Sequence, residues 1–150
     1  MSDIDKKFYQ YALQEAKIGL KEGGIPIGAA LVRNNEVLGT GHNKRVQLGS
    51  VIKHGETDCL ENVGRKSASI YSESTLYTTL SPCSMCSGTI LLYKIPRVVI
   101  GENKTFLGEE ELLRSRGVEV IVLQDNESIA MMSNFIKENP VLWNEDIGEE

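Results

Sequence analysis

Two short pieces of this chain carry residue types that can do chemistry: His54-Gly55-Glu56 and, further on, Pro82-Cys83-Ser84-Met85-Cys86. One histidine and two cysteines offer a ring nitrogen and two sulfurs, donors that zinc takes in a tetrahedral shell. Three protein ligands leave the fourth position to water, as in a catalytic zinc site. Two thiolates and a neutral imidazole cancel the ion's charge, so its water loses a proton less readily than at an all-histidine site. A nearby base is then useful. Glu56 lies two residues from His54 and can reach that water without binding the metal. Cys-x-x-Cys at a helix start brings both sulfurs to one point, and the helix dipole favours their thiolates.

Each piece alone is ambiguous. His-x-Glu is common on surfaces, and Cys-x-x-Cys between a strand and a helix also describes a dithiol redox pair. The combination His-x-Glu with Pro-Cys-x-x-Cys is far more specific and is the signature of zinc deaminases that act on nucleobases.

The two pieces need a scaffold. The chain has 150 residues, enough for one domain with a sizeable core. Its net charge of −5 disfavours a protein that grips a phosphate backbone and suits a small neutral substrate. Three cysteines, two of them at metal spacing, do not make a disulfide framework. The first seven residues are polar and no apolar run is long enough to cross a membrane. The expectation is a soluble protein in a reducing, intracellular compartment.

Apolar periodicity places a helix at residues 4–22, with Phe8, Ala12, Ala16 and Leu20 at four-residue spacing beside Tyr11 and Ile18. Residues 27–33 and 36–40 read as a hairpin about Asn34-Asn35. Gly41-His42-Asn43 leaves the sheet, and residues 44–53 read as a loop. A helix follows His54 to about Gly64, with Cys59, Leu60 and Val63 on its buried side. Residues 75–80 form a strand that Pro82 ends, and residues 83–94 form the helix behind the sulfurs. Strands at 97–101 and 118–123 flank a charged helical segment at 109–115. An amphipathic helix through Ile129, Met132, Phe135 and Ile136 stops at Pro140. This order predicts one mixed sheet with helices on both faces, its first pair antiparallel and the rest parallel through right-handed crossovers. His42 reads as a packed or hydrogen-bonded histidine rather than a fourth ligand. Asn43 by itself serves equally well as a turn residue, and Asp146 by itself is a solvated tail charge.

Across most of its length the sequence resembles the fungal cytosine deaminases of the cytidine deaminase-like superfamily. The resemblance is carried by Glu22-Gly23-Gly24-Ile25-Pro26-Ile27-Gly28, Gly41-His42-Asn43, His54-Gly55-Glu56, Tyr77 through Cys86, Ile95-Pro96-Arg97, Gly101-Glu102-Asn103 and the tail Trp143-Asn144-Glu145-Asp146-Ile147-Gly148-Glu149. It implies a three-layer α/β/α sandwich with a mixed, mostly parallel five-stranded sheet, in a single domain over residues 1–150. It implies His54, Cys83 and Cys86 as ligands of one Zn2+ per chain and Glu56 as the proton shuttle. It assigns Asn43 and Asp146 to the polar edge of a pyrimidine, and Phe106 and Trp143 to apolar walls, with residues 140–150 as a lid. The implied reaction is hydrolysis of cytosine to uracil and ammonia in pyrimidine salvage, with 5-fluorocytosine also accepted. In it a metal-activated water adds at C4 while Glu56 moves the protons. The implied setting is a homodimer in the cytoplasm and the nucleus, acting on a small pyrimidine base, with neither nucleic acid nor membrane as a partner.

Three other readings use the same residues. A closed structural zinc site would recruit Cys59, but Cys59 is five residues beyond His54, roughly 140° around a helix, so the two side chains diverge. A dithiol redox protein would need neither His54 nor Glu56. A tRNA adenosine deaminase shares the zinc pattern, but would be expected to carry a basic stripe for RNA.

Overall fold

The computed structural model describes residues 2–150, and Met1 lies outside the described residues. The elements run α1 Asp3–Lys21, β1 Gly28–Arg33, β2 Glu36–His42, α2 Arg45–Leu48, α3 Gly55–Val63, α4 Ala68–Ser72, β3 Thr75–Thr78, α5 Ser84–Leu92, β4 Arg97–Ile100, α6 Glu110–Ser115, β5 Glu119–Val122, α7 Asn126–Glu138 and α8 Pro140–Asp146. The strands form one five-stranded sheet in the order β2-β1-β3-β4-β5.

The three-layer arrangement follows from alternation along the strands. Ala29, Leu31, Leu76, Val98 and Ile100 face one way and pack with Cys59 and Val63 of α3, Ile90 of α5 and Leu113 of α6. Ala30, Val32, Tyr77 and Val99 face the other way and pack with Phe8, Tyr9, Ala12 and Leu13 of α1. A third cluster, Ile25, Ile27, Leu80, Met132, Phe135 and Trp143, joins α7 and α8 to the end of the sheet where the chemistry-bearing residues lie.

The sheet is less parallel than the resemblance implies. β3–β4 and β4–β5 are parallel, but β1 is antiparallel to both β2 and β3. The chain leaves β2 through α3 and returns on β3, which runs in the direction of β2. β1 already occupies the place between them, so it opposes both neighbours. The buried face of α1 is also rotated from the simple four-residue stripe. Tyr9 and Leu13 are buried, whereas Tyr11 and Leu20 are exposed.

Three segments read as irregular are helical. α2 interrupts the 44–53 loop, α4 interrupts the polar connection at 65–74, and α8 organises the tail. Pro140 does more than end α7. It occupies the first turn of α8, where its missing N–H is no loss. β2 runs to His42, two residues past the expected end, because Gly28 and Ala29 still offer partners there.

A buried ion pair fastens α1 to the sheet. The Asp5 carboxylate, 1% exposed, accepts hydrogen bonds from Arg97 Nη1 and Nη2 at 2.7 Å each and from the Tyr77 hydroxyl at 2.8 Å. The Arg97 bonds, working against burial, hold its pKa at about 2. A carboxylate whose folded pKa lies below its unfolded value stabilises the fold above the unfolded pKa, and that stability is lost as pH falls through the folded one. The stability gap between the parent and Asp5→Asn should therefore be wider at pH 7 than at pH 2 by about 2 kcal/mol, narrowing from about pH 4 downward. Urea melts across that range check it, and a gap independent of pH would contradict it.

Candidate active site

His54 is the N-cap of α3, and its backbone N–H donates to the Thr57 hydroxyl at 2.9 Å. α3 lies so close to β2 that a Cβ on Gly41 would come 2.4 Å from the Cys59 nitrogen, which explains a glycine there. Cys83 is the N-cap of α5, reached from β3 through Thr79-Leu80-Ser81-Pro82, and Cys86 stands in the first turn. Both chemistry-bearing pieces thus sit at helix starts, and the two starts meet.

The His54 Nδ1 atom faces both sulfurs, at 3.4 Å from Cys83 Sγ and 3.8 Å from Cys86 Sγ. The ligating atoms of all three residues lie within 4.8 Å of one another. Zinc bonds of ~2.3 Å to sulfur and ~2.0 Å to nitrogen, at a tetrahedral angle, put the two donors about 3.5 Å apart. The observed separations bracket that value, so the donor set fits zinc. Nδ1 is the metal-facing nitrogen. Nε2 points the other way, 3.4 Å from Asp146 Oδ1. A carboxylate on the far nitrogen of a ligating histidine fixes the ring's tautomer and orientation.

The electrostatics of these side chains are strongly coupled. A hydrogen bond from Cys86, aided by His54 against burial, lowers the Cys83 thiol to about 4. The Cys86 thiol is pushed up by its hydrogen bond to Cys83 and by burial. Without a metal on Nδ1, burial works against charge on His54, but Asp146 and Cys83 outweigh it and raise the imidazole to about 10. Glu56 is 4% exposed, and burial together with the Cys83 charge raises it to about 7. A carboxyl titrating near neutrality can both take and give a proton.

A cavity of about 20 Å3 lies over this cluster, lined by Ile27, His54, Glu56, Leu80, Ser81, Cys83, Phe106, Trp143, Asp146 and Ile147. The tail supplies part of its wall: Trp143, Asp146 and Ile147 come from α8 and its C-cap. Phe106 meets Trp143 edge to face, with ring centroids 5.7 Å apart. A groove of about 640 Å3 lies elsewhere, between the end of α3, α4 and the end of α5, and touches none of the three ligands. Chemistry, not size, picks out the site.

Every residue expected at the site is found around this cluster except that Asn43 stands one layer back. Asn43 is fully buried and does not line the cavity. Its Nδ2 donates to Asp146 Oδ2 at 3.0 Å, and its Oδ1 accepts from the Arg45 backbone N–H at 2.9 Å. An amide keeps one further N–H and one further lone pair after these bonds. Asp146 is not the solvated tail charge it looks like in isolation. It is buried, and its pKa is lowered despite burial by His54, Arg45 and Asn43. His42 is no ligand: its Nδ1 faces Glu15 at 2.7 Å and its Nε2 faces Glu22 at 2.8 Å. Cys59 packs in the core from the buried face of α3, its Sγ 3.4 Å from the Gly39 carbonyl oxygen.

Several contributors escaped the sequence reading. Ile27, Leu80 and Ile147 look like ordinary core residues. Ser81 had a signal, since it directly precedes Pro82-Cys83. Its hydroxyl donates to the buried Glu110 carboxylate at 2.7 Å and accepts from the Gly108 N–H at 2.9 Å, bracing the loop that carries Phe106. Arg45 had no signal at all.

Residues 2–102 match the cytidine and deoxycytidylate deaminase zinc-binding region. The chain belongs to that family. This family match spans His54, Glu56, Cys83 and Cys86 and stops short of Phe106 and the tail. The chain is 57% identical to a cytosine deaminase of Candida albicans, over 99% of this chain and all of that one. It is 37% identical to a tRNA-specific adenosine deaminase of Streptococcus pyogenes, over 70% of this chain and 67% of that one. Among solved structures, one from work on A-to-I editing by tRNA:A34 deaminases superposes with a TM-score of 0.72 at 26% identity, over 84% of this chain and 99% of the other. The protein is therefore a deaminase with the family's fold, and zinc is its metal.

Proposed function

We propose that this deaminase hydrolyses cytosine to uracil and ammonia. The observation that carries this reading is identity to the Candida albicans cytosine deaminase along the whole chain, tail included. The tail matters because it supplies Trp143, Asp146 and Ile147 to the cavity wall.

His54 Nδ1, Cys83 Sγ and Cys86 Sγ would hold the metal. When bound, zinc acts as a Lewis acid that lowers the pKa of a coordinated water. The reaction adds water at C4, protonates N3 and breaks the C4–N4 bond as ammonia departs. Glu56 takes the proton from water, gives it to N3, and later delivers the second proton to the leaving nitrogen. Its burial in the cavity wall beside His54 and Cys83 places it for both transfers. Asp146 and, through its remaining N–H and lone pair, Asn43 read the polar edge of the ring. Phe106 and Trp143 clamp its faces.

The chain is one domain over residues 1–150, with residues 140–150 as a lid. The support is the size of the cavity: a space of about 20 Å3 holds about one water rather than a pyrimidine. A shift of the tail would admit the base and release uracil. A closed cover over a free base also disfavours a ribose. The same reading makes 5-fluorocytosine a substrate. It places the enzyme in pyrimidine salvage in the cytoplasm and nucleus, as a homodimer that engages neither nucleic acid nor membrane. Exposed Ile52 and Leu92 beside the groove at the ends of α3 and α5 support self-association, which light scattering tests. No helix among the described residues is long and apolar enough to cross a membrane.

The test of the reaction is a spectrophotometric assay of zinc-loaded protein with cytosine, cytidine and adenosine. Conversion of cytosine alone is expected. Turnover of cytidine or adenosine at a comparable rate would overturn the assignment, and salt-dependent RNA binding would direct it to tRNA.

A further inference from the structure

Asp146 belongs to the tail, yet it is bonded on every side to groups outside the tail. Its Oδ1 accepts from Arg45 Nε at 2.7 Å and faces His54 Nε2 at 3.4 Å. Its Oδ2 accepts from Asn43 Nδ2 at 3.0 Å. Arg45 also reaches the neighbouring Glu145, Nη1 to Oε1 at 3.0 Å. The Arg45 side chain is 13% exposed and that of Asp146 2%, whereas Glu145 is 58% exposed. One guanidinium on α2 therefore spans two consecutive carboxylates of α8, one buried and one at the surface.

The charge balance gives this contact its consequence. A histidine that ligates a metal through Nδ1 is neutral, so His54 turns its Nε2 toward Asp146, 3.4 Å away, but supplies no countercharge. Among the described residues, Arg45 is the one lysine or arginine within ion-pair distance of Asp146. A buried carboxylate stripped of its partner is strongly unfavourable. α8 contributes no strand to the sheet, so lifting it into water relieves an unpaired Asp146 without opening the sheet. The bond to Glu145 lies at the rim and contributes little beyond holding the guanidinium in line.

We infer that Arg45 is a positioning residue that latches the C-terminal helix over the cavity by neutralising Asp146, and so sets how tightly the closed site holds its base. This rests on the reading of residues 140–150 as the cover of a base-binding pocket. Arg45 acts through Asp146 and touches none of the reacting atoms.

Trp143 is the only tryptophan in the chain and is buried where α8 packs on Ile25, Ile27 and Leu80. Its quenching by acrylamide therefore reports α8 without any substrate. In the zinc-loaded full chain, Arg45→Met removes the guanidinium and keeps a stem of similar shape. The quenching constant should rise several-fold. The KM for cytosine should rise by roughly tenfold or more, with kcat changed less, and zinc content should hold at one per chain. Adding Asp146→Asn to Arg45→Met removes the unpaired charge and should bring quenching back toward the parent's value. A generally loosened fold would not recover in this way. Arg45→Lys keeps a charge but cannot span both carboxylates, and should shift quenching in the same direction by less. It decides the matter if Arg45→Met does not fold. Unchanged quenching in the single variants, or a rise that Asp146→Asn does not reverse, overturns the inference. If the parent leaves cytosine untouched, the proposed reaction fails, while the quenching series still decides the role of Arg45.

Discussion

Glu56→Gln is expected to lower turnover of cytosine by roughly 10²–10⁴-fold while zinc content and fold remain those of the parent. Glutamine has the shape of glutamate and leaves the metal-facing atoms of His54, Cys83 and Cys86 in place. It cannot pass a proton from water to the ring and from water to the leaving nitrogen. Glu56 is also buried without a cationic side chain bonded to it, so neutralising it should not weaken the fold and could stabilise it slightly. Thermal melts, metal analysis and kcat on one preparation check this together. Turnover within a few-fold of the parent would remove Glu56 from the proton path. A loss of activity accompanied by a loss of zinc would make its role structural.

Cys86→Ser should abolish both stoichiometric zinc and activity. Cys86 is fully buried in the first turn of α5, with its sulfur 3.8 Å from the metal-facing nitrogen of His54. A serine hydroxyl neither ionises near neutrality nor offers the soft donor that zinc prefers. The remaining pair, His54 and Cys83, leaves two ligands and no closed tetrahedron. Metal binding to the folded chain also contributes to stability. The parent should therefore lose several degrees of Tm on addition of a strong chelator, and Cys86→Ser should show no such loss. Cys59→Ser is the control. Cys59 packs in the core from the buried face of α3 and hydrogen-bonds a backbone carbonyl, so that variant should keep its zinc. A Cys59 variant that lost zinc, or a Cys86 variant that kept it, would redraw the ligand set.

The chemistry was legible from the chain because it depends on local spacing. His54 with Glu56, and Cys83 with Cys86, are each separated by less than one helical turn. The residues around them mark helix boundaries: Pro82 before the sulfurs, and Gly64 closing the helix after His54. Donor type and order were therefore fixed before folding, as was the alternation that buries β1, β3 and β4. A charged, helix-poor reading of the tail missed α8, because Pro140 signals an end and a beginning equally well. The direction of β1 relative to β3 was also out of reach. It depends on which strand fills the gap that the α3 crossover leaves, a choice made by packing rather than by local pattern.

Which polar residues serve the site was decided only in three dimensions. Asp146 and Asn43 stand 103 positions apart in sequence yet share a hydrogen bond, and Arg45 joins them from a segment without periodicity. In isolation each is an ordinary surface type. Burial turns Asp146 into a group that must be paired, and the tertiary structure determines its partners. The sequence by itself determined the donor set His54, Cys83 and Cys86, the acid two residues from His54 and the layers that hold them, because side-chain chemistry and short-range spacing are properties of the chain. The burial of Asp146 and its pairing with Arg45 came from the fold alone, because desolvation exists only once distant segments have excluded water together.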